Sequence, residues 1–290
     1  MKPYEQELLN HLDLRGLTQG TKKIYLYSLQ GYVNHFSLET ENLTIEHVKK
    51  YLLFLINVKK NSITTQKNIY YGLRFFYIHI LNYRPEDFSF YRARVEHKIP
   101  IVLSHNEVRK ILSRIQVYDY RILVSLMYQC GLRVSEVIRI NPEDISQERN
   151  QLTIRNSKGN KDRTVPITDK LIAELRIYWK THRNKKLLFP AIYRLGKGET
   201  RTTTENTLCI ETIQKIVRVA AKESGLNKRV TSHTFRHSFA TNLINKRVNI
   251  FVIKDYLGHS RISSTLLYLQ MTNESAEDSF QIVKTLMESL

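Results

Sequence analysis

The chain has 290 residues, 42% of them hydrophobic, and carries 45 Lys and Arg against 27 Asp and Glu for a net charge of +18. That is enough for one large or two ordinary globular domains with buried cores, and no segment approaches the ~20 continuous apolar residues of a membrane-spanning helix. The charge excess, +5 over residues 1–98 and +13 over 99–290, points to a polyanionic partner, most simply nucleic acid, although a ribosomal or membrane-surface partner would draw a similar charge. Residues 1–10 are too polar and acidic for a secretory signal. Cys130 and Cys209 stand far apart without metal-ligand spacing, which predicts reduced thiols in a cytoplasmic protein.

The first ninety residues read as four helices. Residues 4–14 are apolar at helical spacing, and 18–20 form a break. Thr21 can cap a second helix running to about residue 35. Thr44 is the expected N-cap of a third, with Glu46 near the positive end of its dipole and Val48, Tyr51, Leu52 and Leu55 on one face. Residues 62–81 give the fourth, with Tyr70, Leu73, Phe76 and Ile80 among its apolar positions. This predicts a small all-α module over residues 1–90. Residues 91–99 are the expected linker, basic and without periodicity, and Pro100 blocks continuation of a helix.

A second domain is expected over 100–290, mainly α with a small antiparallel β-sheet. Ser104 caps a helix to residue 116, and residues 120–130 form a buried helix ended by Gly131. Residues 151–155 and 163–167 read as two strands joined by a turn at 157–162. Helices follow at 169–181, 212–224, 232–245, 250–257 and 263–268. Residues 191–206 read as a Gly- and Thr-rich polar loop. Residues 274–290 form a tail, acidic and then amphipathic.

Five segments carry chemistry. Arg133 follows Gly131 in Gly131-Leu132-Arg133-Val134-Ser135-Glu136. A guanidinium there can grip two phosphate oxygens without ever losing its charge, with Glu136 near enough to orient it; an Arg-Glu pair on a helix surface reads equally well. Lys158 lies at the tip between two strands, either as a proton donor in a DNA groove or as a solvated turn lysine beside the phosphate contacts Lys161 and Arg163. His233 and Arg236 are three apart on one helical face and can reach one phosphate together. His237 completes a His-x-x-x-His spacing, but no Glu follows His233 and no third ligand is near, so no metal is expected. His259 follows Gly258, and nine residues on comes Tyr268, one of 17 tyrosines. A phenol with a pKa of ~10 needs nearby cations to become a nucleophile; Arg236 and His259 can supply them.

In this order, the Arg133 segment, the Lys158 hairpin, His233-Thr234-Phe235-Arg236-His237, Leu257-Gly258-His259-Ser260 and Thr265-Leu266-Leu267-Tyr268 resemble the tyrosine recombinase, or lambda-integrase, family, particularly its compact Xer-type and integron-integrase-like members. The resemblance implies an N-terminal helical, SAM-like core-binding domain and a C-terminal catalytic domain clamped around double-stranded DNA. It makes Tyr268 the nucleophile that forms a 3′-phosphotyrosine and frees a 5′ hydroxyl. Arg133 and Arg236 hold the scissile phosphate, Lys158 is the general acid, His233 and His259 assist, and Glu136 supports the first arginine. No cofactor or metal is implied, because the covalent link conserves the bond energy. Four protomers, weakly associated or monomeric without DNA, would exchange strands between two duplexes through a Holliday junction, at a core site of inverted repeats. Residues 274–290 would dock on a neighbouring protomer, and the enzyme would be cytoplasmic, nucleoid-associated when bound. The 191–206 loop looks longer than its Xer-type counterpart. Lys22, Lys23, Lys67 and Arg74 are candidate DNA contacts of the first domain.

Two other readings stand beside this one. A type IB topoisomerase-like enzyme would use the same chemistry to relax DNA. A non-catalytic DNA-binding regulator would share the scaffold but has no need of Arg133, Lys158, His233, Arg236, His259 and Tyr268 together.

Overall fold

The computed structural model describes residues 2–37, 42–92, 100–155, 162–193 and 202–271, with 284 and 287. Lys158, Lys161, most of the expected linker, the middle of the 191–206 segment and nearly all of the tail lie outside the described residues. No helix among the described residues is long and apolar enough to cross a membrane. The chain divides into two compact units, Met1–His97 and Lys98–Leu290.

The first unit consists of α1 (Pro3–Leu14), α2 (Gln19–Phe36), α3 (Ile45–Asn57) and α4 (Ile63–His79), closed by a 3-10 turn at Pro85–Phe88. Thr18, not Thr21, caps α2: its hydroxyl accepts the Thr21 amide at 3.3 Å. Thr18 sits one place before the helix, where the first amides lack intrahelical partners. Leu8, Leu12, Leu29, Tyr32, Leu73, Phe76 and Tyr77 form a fully buried core. The Tyr32 and Tyr77 hydroxyls hydrogen-bond to each other at 2.7 Å, so neither polar tip is buried unpaired. Gly72 lets α4 approach α2: a Cβ there would lie 3.1 Å from the Ser28 Cβ and 3.3 Å from the Tyr25 Cα.

The second unit begins with α5 (His105–Arg114), where Ser104 and Glu107 form a reciprocal capping box. Then come α6 (Tyr118–Gln129) and a single-turn α7 (Val134–Val137). Strands β1 (Ile145–Ser146), β2 (Gln151–Ile154) and β3 (Arg163–Pro166) form an antiparallel sheet in that order. Leu152 pairs with Val165 and Ile154 with Arg163. Alternation turns Leu152, Ile154 and Val165 into the core. Next are α8 (Asp169–Lys180), β4 (Pro190–Tyr193), β5 (Thr202–Thr207), α9 (Ile210–Glu223), α10 (Ser232–Asn245), α11 (Ile250–Leu257) and α12 (Ser263–Leu266), which runs into a 3-10 turn at Leu267–Met271. The ends of the expected 191–206 loop are therefore a second antiparallel sheet, with Ile192 opposite Thr203. Its β-branched residues favour strands. The main core gathers α5 to α10 and the first sheet. A separate small cluster joins Ala240, Ile244, Ile253, Leu257 and Tyr268.

Candidate active site

The site starts at the end of α6. Gly131 turns the chain out of the helix with φ +61°, and a Cβ there would fall 2.4 Å from the Phe239 ring. Both the dihedral and the space require glycine. The Leu132 amide reaches back to the Met127 carbonyl at 2.9 Å and closes the helix end. Arg133 then occupies the N-cap of α7, and Glu136 folds back on it. The Glu136 carboxylate accepts the Arg133 amide at 2.8 Å and Nη1 at 2.6 Å.

Arg163 approaches the same carboxylate from β3. Its two terminal nitrogens donate to the two carboxylate oxygens at 3.0 and 2.8 Å, and its Nε donates to the Tyr256 carbonyl at 2.7 Å. Arg236 stands 3.6 Å from Glu136. Three guanidiniums thus converge on one buried carboxylate. Burial pushes the Glu136 carboxyl up, but the hydrogen bonds and charge of Arg163, with the Arg133 amide and Arg236, outweigh it and hold the group down at about 2. Glu136 is ionised throughout the physiological range.

Helix α10 carries His233, Arg236 and His237 on adjoining turns of one face. Arg236 is 3% exposed. Nη1 donates to the Gly131 carbonyl at 2.9 Å, and Nη2 donates to the Leu257 carbonyl at the end of α11. A cation is favoured at such helix C-termini. Burial, then the charge of Arg133, lowers Arg236 to about 9, so it remains protonated at neutral pH. Helix α11 ends at Gly258, whose φ of +60° turns His259 back beside it, and the His259 amide bonds the Lys254 carbonyl at 3.1 Å. His259 Nδ1 is hydrogen-bonded to the Thr265 hydroxyl at 2.9 Å.

Tyr268 lies in the 3-10 turn after α12, not in an α-helix, and is 3% exposed. Its ring stacks on His259, with centroids 6.2 Å apart and planes 17° off parallel. Its hydroxyl is 3.1 Å from His237 Nδ1. Burial raises the phenol above its ordinary value, while Arg236 and Arg133 pull it back. Burial, reinforced by neighbouring cations, lowers all three histidines, His237 and His259 to about 4. Their rings are neutral at pH 7 and can donate or accept a hydrogen bond. Two arginines and two neutral histidines around a phenol can hold an anionic tetrahedral group and stabilise charge developing on it.

The structure therefore brings together Arg133, Glu136, His233, Arg236, His259 and Tyr268. Arg163, expected as a phosphate contact, is instead only 7% exposed and held within the site by Glu136. In the first unit Lys22 is buried and ion-paired with Asp13, Arg74 is half-buried, and Lys23 and Lys67 are exposed. His237 was read from sequence only as half of a metal spacing. Its position one turn after His233 was the signal that it shares the site. Nothing local marks Arg163, whose partners are 27 and 93 residues away.

The phage integrase family model matches residues 102–275, and the N-terminal SAM-like domain of phage integrases matches residues 5–86. The chain belongs to the phage integrase family, the tyrosine recombinases. The recombinase is 30% identical to tyrosine recombinase XerA of Pyrococcus horikoshii over 96% of this chain and 93% of that one. It is 33% identical to a tyrosine recombinase of Pseudothermotoga lettingae over 83% of each chain. A solved lambda integrase (75-356) dimer bound to a COC′ core site shares the fold with a TM-score of 0.70 at 18% identity, covering 91% of this chain and 93% of that one. XerH recombinase bound to its difH substrate does so with a TM-score of 0.67 at 20% identity, covering 91% and 81%. The recombinase is a mainly helical DNA strand-transferase of site-specific recombination, and membership of this family does not favour a relaxation enzyme or a regulator.

Proposed function

We propose that Tyr268 attacks the scissile phosphate of duplex DNA, forming a 3′-phosphotyrosine and releasing a 5′ hydroxyl, which later reverses the step on a partner strand. Arg133 and Arg236 hold the non-bridging oxygens and neutralise the charge that builds on them. His233 and His259 hydrogen-bond the phosphate, Glu136 fixes the arginines, and Lys158 protonates the leaving oxygen. The observation that carries this reading is the burial of one phenol among His237, His259 and the charges of Arg236 and Arg133.

Four protomers act on two duplexes through a Holliday junction, at inverted repeats of ~10 base pairs, about one helical turn each. The solved lambda integrase tetramer bound to a Holliday junction, with a TM-score of 0.69 at 18% identity, supplies the precedent in fold. Residues 274–290 dock on a neighbouring protomer, and Lys23 and Lys67 are candidate DNA contacts of the first unit. The work is done on nucleoid DNA in the cytoplasm.

The test is a pool of nicked duplexes with randomised arms, from which the wild-type chain captures those it can cleave; the nick lets the leaving strand escape and traps the covalent link. Wild type forms a denaturation-resistant DNA adduct and Tyr268→Phe forms none. An adduct with Tyr268→Phe would transfer the role to another residue. No adduct with wild type would end the cleavage reading.

A further inference from the structure

We infer that Arg163 is a positioning residue of this site, a tie that sets the Glu136 carboxylate and the end of α11 in one frame and so aligns both phosphate-holding arginines. The inference rests on the proposed cleavage chemistry. Glu136 alone could hold Arg133, since the two are three residues apart on one short turn. The Arg133 amide and Nη1 already reach one carboxylate oxygen each, but local pairs of this kind contribute little when exposed. Here the side chain of Glu136 is 8% exposed. The Arg163 fork adds a bond to each of its oxygens from a second element, β3, and fixes the carboxylate plane.

The third donor extends the tie. Arg163 Nε bonds the Tyr256 carbonyl, and the next carbonyl, Leu257, takes Arg236. Two guanidiniums from different elements therefore hold consecutive carbonyls at the C-terminus of α11. Gly258 and His259 follow at once. One side chain of β3 thereby sets the position of Arg133 and Arg236 through Glu136, and of His259 through α11. Lysine carries the same charge but lacks the planar fork that makes three directed bonds.

The experiment uses the full chain and a nicked duplex captured by wild type, with either a phosphodiester or a methylphosphonate at the cleaved position. The methylphosphonate replaces one non-bridging oxygen with a methyl group and removes the charge that the arginines neutralise. Single-turnover cleavage, DNA affinity and melting are measured for wild type, Arg163→Met and Arg163→Lys. On the phosphodiester, Arg163→Met cleaves about 100-fold more slowly, as expected when preorganised charge stabilisation is lost, while affinity changes by less than about threefold, since the Arg163 guanidinium is occupied by Glu136 and the Tyr256 carbonyl. On the methylphosphonate the deficit shrinks to about tenfold or less, because a misaligned clamp matters less to a neutral phosphorus centre. Arg163→Lys keeps the fold and falls between the two, which preserves the test if Arg163→Met does not fold. Equal deficits on both substrates, or wild-type cleavage by Arg163→Lys, would overturn the positioning role. Failure of wild type to capture any duplex would overturn the cleavage reading itself, and this inference with it.

Discussion

Gly131→Ala concentrates on one atom the dependence of the site on the end of α6. At φ +61° an alanine is left-handed, which costs about 1–2 kcal/mol. Its methyl group would lie 2.4 and 2.7 Å from two carbons of the Phe239 ring, well inside van der Waals contact. Moving the ring or the backbone to relieve that costs about 1–3 kcal/mol more. The total, about 2–5 kcal/mol, corresponds to a fall in Tm of about 5–15 °C for a unit of this size. Because the Gly131 carbonyl accepts from Arg236 at 2.9 Å, cleavage should fall as well. Urea and thermal unfolding of Gly131→Ala, Phe239→Ala and the double variant separate the two contributions. Removing the ring should restore the overlap part and leave the dihedral part. A Gly131→Ala melting point within about 1 °C of wild type, or no coupling to Phe239→Ala, would refute the argument.

Glu136→Gln leaves Arg163 and Arg236 buried beside a neutral amide and should destabilise the second unit by about 3–5 kcal/mol in urea unfolding. Its folded pKa of about 2 lies below the unfolded value of 4.5. The carboxylate therefore contributes fully above about pH 4.5, and the difference between wild type and variant should shrink as pH falls towards 2. His237 and His259 have folded values lowered from 6.5 to about 4 by burial and then by neighbouring charge. The folded state binds fewer protons than the unfolded one between those values, so their contribution is whole above pH 6.5 and is lost as pH falls to 4. This is worth up to ~3 kcal/mol per ring, and His259→Gln should flatten the pH dependence of the urea midpoint over that window.

Much of the helical framework was legible because it is written locally. Ser62, Ser104 and Thr168 each accept the amide three residues on, and the apolar positions of α3 repeat at helical spacing. The meeting of His233 with Arg236 also follows from helical periodicity. The 202–207 strand was hidden by composition: its threonines are good strand formers, but so polar a run in one sequence reads as a loop. The cap of α2 was ambiguous because two threonines three apart offer alternatives, and the structure uses Thr18 rather than Thr21. Arg163 was legible as a basic contact residue but not as the partner of Glu136, because tertiary contacts to α7 and α11 decide that pairing. A basic residue after a turn otherwise reads as a solvated or phosphate-bound cation. His237 received no role from the sequence for a related reason, since its partner Tyr268 is 31 residues away.

The small cluster that holds Tyr268 separates two kinds of permanence. Arg236 and Arg163 pin α11 to the main body by side chain to backbone bonds. The 3-10 turn carrying Tyr268 packs its buried ring into the small cluster with α10 and sets its hydroxyl on His237. Undocking that ring gives up about 2–3 kcal/mol of apolar burial, together with its contacts to His237 and His259. Arg236 and Arg163 are tied to backbone carbonyls of other elements, whereas the attacking phenol is seated by ring packing and side-chain contacts. Such a division leaves the grip on an anion independent of how the phenol is seated.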